Sequence, residues 1–519
     1  MSSYEADLTS SDPFDRSAAY SERGLERVES GDFEGATADF EQAELIAIQA
    51  ELPDLIAAAR INRGYALAEQ ELFDEATALY SAAADVARES GDAERLIMAL
   101  ANLGTAARLV NRNAEAVEAF GELLEYVAET PEFLAQVYND RALALAALLR
   151  FDEAFLDLDE AERVARESDN AALVVLALNN RAYVSDANND AEAALVLYQQ
   201  SADEARAAGL DDPLLLALRN LAHTQRILGH HAEAHPVYEE AEELARAAED
   251  DKWLADLLYW HGVSLREGGW ADEALERWRQ EEPIRRELGQ EPDLADCLMA
   301  QASVVRKARD YETAERLLLE AEDICRRHEQ QRGLADTLYQ LGRVLRSSGR
   351  SDEARTRLAE AVEVAAAASY PEIECRARGL NAVLLAGAGD LEAASAELDI
   401  AGAMSMQLGF HKVAIRMMSR RGLLAACDGA DVDEVTTPMR AAYEYAVDNK
   451  ATRGARAVIR SVAKEINKLC GEEYTQALED LDEELRLRQQ ETNPSGAPAP
   501  EPEPEDAPAP DAADEAPGE

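Results

Sequence analysis

Apolar residues recur along the chain three, four and seven positions apart, and short polar segments interrupt this spacing at regular intervals. Residues 57–92 show the pattern clearly. Measured from Gly64, small or large apolar side chains follow at +9, +12, +16 and +19: Phe73, Ala76, Tyr80 and Ala83. This spacing is typical of amphipathic helices, and the polar segments 70–72 and 90–92 predict turns. The stretch therefore predicts two antiparallel helices that must stack on similar pairs to bury their apolar faces.

The same unit returns along most of the chain in steps of 40 residues, with one step of 38 residues near Pro131. Its origin is always glycine or alanine: Gly24, Gly64, Gly104, Ala142, Ala182, Ala222, Gly262, Ala302, Gly342, Ala382 and Gly422. In the first ten units the +12 position is alanine: Ala36, Ala76, Ala116, Ala154, Ala194, Ala234, Ala274, Ala314, Ala354 and Ala394. The +16 position is large and apolar, for example Phe40, Tyr80 and Trp278. Small residues let two helices approach closely, and the large residue fills the space beside them.

This order of small and aromatic residues resembles the tetratricopeptide repeat, and its length is similar to the longer repeats of kinesin light chains and their bacterial relatives. The triplets 102–104 and 220–222 resemble the latter group. The resemblance covers about residues 16–450 and implies an all-α fold, an α-solenoid built as a right-handed superhelix of about eleven helix-turn-helix repeats. The eleventh unit is out of phase by one residue and has Pro438 where a helix should start, so it predicts a degenerate terminal repeat.

The two ends of the chain differ from the repeats in composition. Residues 1–15 predict a disordered leader, and residues 491–519, rich in Pro, Ala, Asp and Glu, predict a disordered acidic tail. Residues 451–490 carry two more amphipathic patterns, which predict C-terminal capping helices. The apolar stripe of the second pattern is Leu478, Leu481 and Leu485. This stripe leaves self-association through the C-terminal helices open as an additional role.

The charge of the chain narrows the classes of partner. Asp and Glu number 104 against 51 Lys and Arg, which gives a net charge of −53. Nucleic acids and anionic membranes attract cationic surfaces, so neither is an expected partner. The five cysteines are widely spaced without a CxxC pair, and no run of 18 apolar residues occurs. These features predict a cytoplasmic protein without disulfides or membrane-spanning helices.

Motifs for catalysis are not apparent in the sequence. It has no glycine-rich phosphate loop, no HExxH and no nucleophile elbow, so we expect neither an enzyme nor a bound cofactor. His231 and His235 stand four residues apart, a spacing that can hold a metal on one helix face. However, His231 occupies the +9 position where other units place an aromatic core residue, which favours packing over a metal site.

The resemblance implies that the first helix of each repeat lines a concave groove. An asparagine that lies on this helix two residues before the origin can bind the main chain of a peptide, because its amide both donates and accepts hydrogen bonds. The candidates are Asn62, Asn102, Asn180 and Asn220. Trp260 takes this position in the seventh unit, with Tyr259 before it, and both are candidate aromatic anchors. The alternative is that each asparagine binds a neighbouring helix.

A row of arginines four residues after the origin forms a second candidate feature: Arg108, Arg226, Arg266, Arg306 and Arg346. Guanidinium groups in a row favour a carboxylate-bearing or phosphorylated segment, since arginine binds both with two parallel hydrogen bonds. The alternative is an internal ladder of ion pairs with Asp256, Asp296 and Asp336, which repeat six residues before the origin.

These features together predict a protein-protein interaction scaffold or adaptor that binds an extended peptide or a helix of another protein in its groove. The alternative function is a regulatory repeat protein that senses a ligand or peptide and changes the shape of its superhelix on binding.

Overall fold

The computed structural model describes residues 7–452 and 454–492, of which residues 490–492 only as backbone. Contacts divide the chain into two compact units, Met1–Leu244 and Ala245–Glu519. All regular secondary structure within the described residues is helical. A 3₁₀ helix, Asp7–Thr9, precedes the first α-helix.

The first unit is built of α-helices of mostly 16–18 residues. They are α1 (Pro13–Glu29), α2 (Phe33–Gln49), α3 (Pro53–Ala68), α4 (Phe73–Ser90), α5 (Ala93–Leu109), α6 (Asn113–Leu123), α7 (Pro131–Ala147), α8 (Phe151–Glu167), α9 (Ala171–Ala187), α10 (Ala191–Ala208) and α11 (Asp211–Ile227). The boundary between the units falls within α12 (His231–Ala247).

The second unit continues the same alternation of helices. They are α13 (Asp251–Glu267), α14 (Ala271–Leu288), α15 (Glu291–Lys307), α16 (Tyr311–Arg327), α17 (Gln331–Ser347), α18 (Ser351–Ala367), α19 (Pro371–Gly387), α20 (Leu391–Gln407), α21 (His411–Cys427), α22 (Val432–Asp448), α23 (Ala455–Cys470) and α24 (Thr475–Thr492). We call the odd-numbered helices α1–α21, which carry the repeat origins, A helices, and the even-numbered helices α2–α22 B helices.

Helix ends follow from a turn residue that recurs about every 20 positions in the left-handed conformation. Glu51 has φ 57° and Gly91 has φ 75°. After each of these residues, a backbone N–H bonds a carbonyl of the last helical turn, as from Leu52 to Ala47 at 2.9 Å. This arrangement satisfies carbonyls that a helix end would otherwise leave unbonded. The chain therefore reverses within a few residues and lays the next helix antiparallel.

The core of each pair consists of the positions that the sequence predicts. All ten alanines at +12 have no exposed surface, and the ten large residues at +16 are at most 4 % exposed. Glycine at the origin has a steric reason: a Cβ at Gly64 would lie 2.6 Å from Cε1 of Tyr80, and one at Gly342 would lie 2.6 Å from Cγ of Leu358. Within each unit, helix pairs stack in sequence order, and A helices also contact the next A helix, as α7 contacts α9. Each unit is thus an all-α solenoid of consecutive helix pairs.

The structure differs from the prediction at the start of the chain. Helix α1 begins at Pro13, inside the predicted leader, because Asp12 accepts the N–H of Phe14 at 2.9 Å and proline suits the first helical turn. Residues 1–6 lie outside the described residues. Most of the predicted tail, residues 493–519, lies outside them as well.

Pro438 also departs from the prediction, since it lies inside α22 and does not begin it. Asp431 caps this helix by accepting the N–H of Glu434 at 2.9 Å, so the helix begins six residues before the proline. The 38-residue step is accommodated by α6, which has only 11 residues.

The apolar stripe of α24 is used within the chain. Leu478, Leu481 and Leu485 are buried in a core shared with Met439, Tyr443 and Val462. These leucines therefore belong to the core of the second unit, and self-association through other parts of the C-terminal helices stays a prediction.

Candidate functional site

The asparagines predicted to bind a peptide lie on four A helices of the first unit, and two of them are engaged by a neighbouring helix. The Nδ2 of Asn180 donates to Oδ1 of Asn139 at 3.2 Å. In the next pair, Nδ2 of Asn220 donates to Oδ1 of Asn179 at 3.1 Å. The asparagine two residues before the origin of one repeat thus binds the asparagine three residues before the origin of the preceding repeat, on the preceding A helix. Asn62 and Asn102 are half-buried on α3 and α5.

The aromatic candidates lie together on α13 of the second unit. Tyr259 and Trp260 are half-buried, with ring centroids 5.2 Å apart in an edge-to-face arrangement. Both pack against a small core around Trp278. Trp278 is fully buried, as its +16 position predicts, and its Nε1 donates to the carbonyl of Tyr259 at 3.1 Å. The buried indole therefore fixes the backbone that presents the two outer rings.

Arg266 is the buried member of the arginine row, with 7 % of its surface exposed. Its guanidinium lies 5.8 Å from the ring centroid of Trp278. Within the part of the chain that the structure describes, its Nε and Nη1 have no hydrogen-bond partner. Arg266 follows Tyr259 by seven residues, two helical turns, so the two side chains share one stripe of α13.

The other row members have different surroundings. Arg226 and Arg108 are half-buried on α11 and α5 in the first unit, and Arg306 is half-buried at the end of α15. Arg346 donates from Nη1 and Nη2 to Oε1 of Glu465 on α23, at 3.1 and 3.2 Å. Five arginines in the same position of the repeat therefore do not form a uniform row.

The three aspartates of the predicted ladder differ in their surroundings. Asp256 accepts from Nη2 of Arg285 on α14 at 2.6 Å. Asp296 is exposed on α15, and Asp336 is buried on α17. The alternative of regular pairing between these aspartates and the arginine row is wrong for Asp256, because a B-helix arginine takes that carboxylate.

A cluster of cations surrounds Tyr339, which has no exposed surface. The guanidinium of Arg376 lies 4.8 Å and that of Arg343 lies 5.6 Å from its ring centroid. Burial alone would raise the pKa of Tyr339, but Arg376 and Arg343, with Arg416 and Arg420, outweigh it and lower this pKa below its ordinary value. The interior of this region therefore carries a positive potential, although the chain as a whole is strongly acidic.

Glu465 of α23 is the carboxylate that meets this cluster. It binds Arg346 and also accepts from Nε and Nη2 of Arg420, at 3.1 and 3.2 Å. Burial alone would raise its pKa, but Arg420 and Arg346 outweigh burial and hold the pKa of Glu465 at about 2. Helix α23 packs mainly against α21, an A helix, and less against α22. The predicted capping helix therefore lies on the A-helix side of the last pairs.

Two cysteines meet at the ends of α21 and α23. The Sγ atoms of Cys427 and Cys470 are 3.2 Å apart, and both residues are free thiols. Burial and the neighbouring Cys470 raise the pKa of Cys427 to about 12. The described residues contain no group of three His, Cys, Asp or Glu side chains that could hold a metal. Nor do they include a helix with the length and apolarity needed to cross a membrane.

Sequence models of two known families match parts of the chain. The model described as "Tetratricopeptide repeat" matches residues 298–367. The model described as "Anaphase-promoting complex subunit 5" matches residues 64–135, 136–187 and 183–267. Residues 298–367 therefore carry tetratricopeptide repeats.

Solved structures of other proteins are similar to this repeat chain at low sequence identity. BtubC (BKLC) from P. vanneervenii is 21% identical, with 42% of this chain and 92% of that chain covered and a TM-score of 0.38. A Rap protein complexed with Competence and Sporulation Factor is 15% identical over 62% of this chain and 99% of its own, with a TM-score of 0.35. A signal transduction ATPase with a tetratricopeptide repeat sensor from Pyrococcus horikoshii is 13% identical, with 68% of this chain and 55% of that chain covered and a TM-score of 0.47. No curated protein matches the chain.

Sequence reasoning missed most of the cationic cluster in these repeats, although one signal was present. The −6 position carries aspartate at 256, 296 and 336 and changes to arginine at Arg376 and Arg416. A reversal of charge at a fixed position of the 40-residue repeat indicates that the charged groups around this position differ between the earlier and the later repeats. Arg343 and Arg420 have no comparable periodic signal, and neither does Glu465, which lies 119 residues from Arg346.

Proposed function

We propose that this tetratricopeptide-repeat chain is an interaction scaffold that binds an extended peptide or a helix of another protein on the A-helix face of its second unit. The observation that carries the proposal is Arg266. Its two buried donors have no acceptor among the described residues. A buried donor without an acceptor costs about 1–3 kcal/mol, and a carbonyl or carboxylate of a partner would remove that cost.

The surroundings of Arg266 support a protein partner. Tyr259 and Trp260 on the same helix are half-buried, so both residues keep some exposed surface. Aromatic residues and arginine are the side chains that dominate the energy of protein interfaces. We assign Trp260 and Tyr259 to apolar anchoring and Arg266 to hydrogen bonding with the bound segment.

The other predicted residues have graded roles in this proposal. Asn62 and Asn102 lie in the first unit, outside this surface, and are separate candidates for binding the main chain of a partner. Asn180 and Asn220 contribute less, because their amides already bind the preceding helix. Arg306 and Arg346 of the second unit supply positive charge for acidic groups of the partner. Arg226 lies in the first unit and stays a separate candidate.

The test is a quantitative pull-down from the source cells with the full chain and its Trp260→Ala and Arg266→Ala variants, read by mass spectrometry. Trp270→Ala is the matched control, because Trp270 is 38 % exposed at the start of α14. We expect the same partner to be lost with both variants and retained with the control. Partners that are then purified should bind the full chain directly.

The stability of the free variants separates binding from folding. Arg266→Ala removes the burial cost of two donors without an acceptor but also the contact with the Trp278 ring, so we expect the two effects to offset each other and the free chain to stay close to wild-type stability. A variant that loses its partner while its circular dichroism and unfolding midpoint are unchanged supports a binding role. Wild-type recovery of every partner by both variants would overturn the proposal.

A further inference from the structure

A cavity of about 330 Å³ lies within the second unit, between the C-terminal ends of α15 and α17 and the side of α23. Its volume is near the lower end of the roughly 300–1,000 Å³ that is typical of small-ligand sites. Ten described residues line it, and six of them are cationic: Arg306, Lys307, Arg343, Arg346, Lys464 and Lys468. Glu465 is the acidic residue among these ten, and Ser347 and Ser461 add hydroxyl groups.

This concentration of positive charge is unusual for the chain, in which acidic residues outnumber basic ones by two to one. The lining also includes a deeply buried cation, since Arg343 is 5 % exposed. The carbonyl ends of α15 and α17 offset part of the charge, because cations are favourable at helix C-termini. The ten lining residues carry a formal surplus of five positive charges.

The arginines also disfavour one another in this arrangement. Burial lowers the pKa of Arg306, and Arg346 lowers it further. Burial likewise lowers the pKa of Arg343 well below its ordinary value, with Arg306 and Arg376 adding to the effect. An anion placed in the cavity would relieve both the burial penalty and the repulsion.

Glu465 shows how an oxyanion is held at one edge of this cavity. Its carboxylate binds Arg346 and Arg420 with four hydrogen bonds between 3.1 and 3.2 Å. A single carboxylate supplies one negative charge, whereas the cavity lining presents six positive ones. The exposed Lys464 and Lys468 flank Glu465 on α23 and give access from solvent.

We infer that this cavity is a binding site for a phosphate-class oxyanion. A tetrahedral dianion offers several acceptor oxygens, and arginine and lysine are the side chains that bind phosphate. The inference rests on the proposed function only for the source of the anion, which is a phosphorylated side chain of the bound protein segment or free phosphate. The site itself is defined by residues of this chain alone.

Isothermal titration of the full chain with inorganic phosphate, in a HEPES buffer of low ionic strength, tests the site. The variant is Lys464→Glu/Lys468→Glu, which reverses two exposed cations of the lining. The matched control is Lys252→Glu/Lys412→Glu, which makes the same change of charge at positions outside the lining. We expect the variant to bind phosphate roughly tenfold or more weakly and the control to bind within about threefold of the wild type.

A third variant addresses the internal carboxylate. Glu465→Gln removes the negative charge from the lining and should tighten phosphate binding. The unchanged far-ultraviolet circular dichroism of each variant shows that its helices remain. No measurable heat of phosphate binding by either the wild type or Glu465→Gln would overturn the inference, and so would equal weakening in the Lys464/Lys468 variant and its control.

A second probe distinguishes the sources of the phosphoryl group. A five-residue peptide with a central phosphoserine between alanine and glycine residues is compared with its unphosphorylated form and with inorganic phosphate. Tighter binding of the phosphopeptide than of phosphate supports a phosphorylated segment. Equal or tighter binding of inorganic phosphate supports the oxyanion site and overturns a phosphorylated protein segment as the source of its phosphoryl group.

These outcomes are separable from the pull-down with Trp260→Ala, because phosphate binding does not require the protein partner.

Discussion

Arginines of the B helices and arginines of the A helices both recur with the repeat, but their surroundings differ. On the B helices, four arginines each bind a glutamate 34 residues later on the next B helix: Arg88 with Glu122, Arg206 with Glu240, Arg286 with Glu320 and Arg326 with Glu360. We call these pairs the B-helix ladder. Its first pair has two parallel hydrogen bonds of 2.9 Å, and its arginines are 41–45 % exposed.

Members of the A-helix row differ from one another in their surroundings. Arg266 is buried beside Trp278, whereas Arg346 binds a glutamate that lies far along the chain. Repetition alone therefore does not reveal whether an arginine stabilises the repeat or remains available for a ligand. The difference lies in whether the neighbouring repeat supplies a carboxylate at the matching position.

The largest expected effect comes from Glu465→Lys, which places a cation among the arginines of the A helices. Breaking a buried ion pair costs about 3–5 kcal/mol, so amide hydrogen exchange along α23 should accelerate roughly a hundredfold or more. Cys427 and Cys470 should also react faster with a thiol reagent, because their contact joins the end of α23 to the end of α21. Since the pKa of Glu465 is lowered to about 2, its contribution is present above the ordinary pKa of 4.5 and is lost as the pH falls towards 2.

Glu479→Lys is the matched control on α24, where the glutamate is exposed. Wild-type exchange along α23 in Glu465→Lys would show that the Arg346–Glu465 contact does not hold this helix.

The second effect concerns Glu281, which is fully buried on α14 and accepts from Nε of Arg285 at 3.2 Å. Burial raises the pKa of Glu281 to about 8, although Arg285 and the Cys297 thiol oppose this change. The folded state therefore binds this proton more tightly than the unfolded state, and stability is lost as the pH rises from the ordinary pKa of 4.5 through about 8. A difference of one between the pKa of the folded state and that of the unfolded state corresponds to about 1.4 kcal/mol. Glu281→Gln should flatten the fall in unfolding midpoint across this pH range.

The exposed Glu276 on the same helix provides the control, since Glu276→Gln should retain the pH dependence of the wild type. If Glu281→Gln retains it too, ionisation of Glu281 does not limit stability in this range.

The third effect is that of Asp157→Asn in the first unit. Asp157 is 5 % exposed and accepts from Nε and Nη2 of Arg141 at 2.7 and 2.6 Å. The substitution leaves a half-buried arginine with a poorer partner, and we expect a loss of about 1–3 kcal/mol in urea unfolding. The exposed Asp152→Asn on the same helix should change stability by less than about 0.5 kcal/mol. Equal midpoints for Asp157→Asn and the wild type would mean that this pair adds nothing to the repeat.

The smallest effect belongs to the B-helix ladder. Glu122→Gln should lower the free energy of unfolding by less than about 1 kcal/mol, because exposed ion pairs are screened and lose side-chain entropy. The difference should vanish at high salt, and exposed Glu118→Gln on the same helix should match the wild type. A loss as large as that of Asp157→Asn would remove the contrast between exposed and buried pairs.

The core of the repeats was predictable because it depends on local spacing. Ala76 and Tyr80 face the same partner helix in every unit, so a fixed interval in the sequence corresponds to a fixed contact. Some repeats carry an arginine immediately before the origin, as at Arg141 and Arg181, and the partner of this arginine is only partly a matter of local spacing. Arg141 binds the carboxylate at +15 of its own repeat, whereas Arg181 binds Asp159 on the preceding B helix at 2.7 Å, where +15 is not acidic.

The candidate site was only partly predictable, because its contacts are not periodic. Trp260 and Arg266 follow from their positions in the repeat, and both lie on α13. The burial of Arg266 depends on Trp278, which is larger than the residue at +16 in the other units. Pairing of Arg346 with Glu465 depends on how α23 turns onto α21, and no pattern between residues 451 and 470 indicates this turn. The sequence was compatible with asparagines that bind a peptide and with asparagines that bind a neighbouring helix. For Asn180 and Asn220, the hydrogen bonds to the preceding A helix favour the second interpretation.

The regular step of 40 residues, with the same small and large residues at each contact, has a consequence for how such a chain can vary in length. Because neighbouring pairs meet through equivalent positions, removal of residues 183–222 would join the front half of α9 to the back half of α11 in register. Each remaining pair would keep a neighbour of the same kind. Whole helix pairs can therefore be added or removed without a change in the residues that form the contacts between neighbouring pairs.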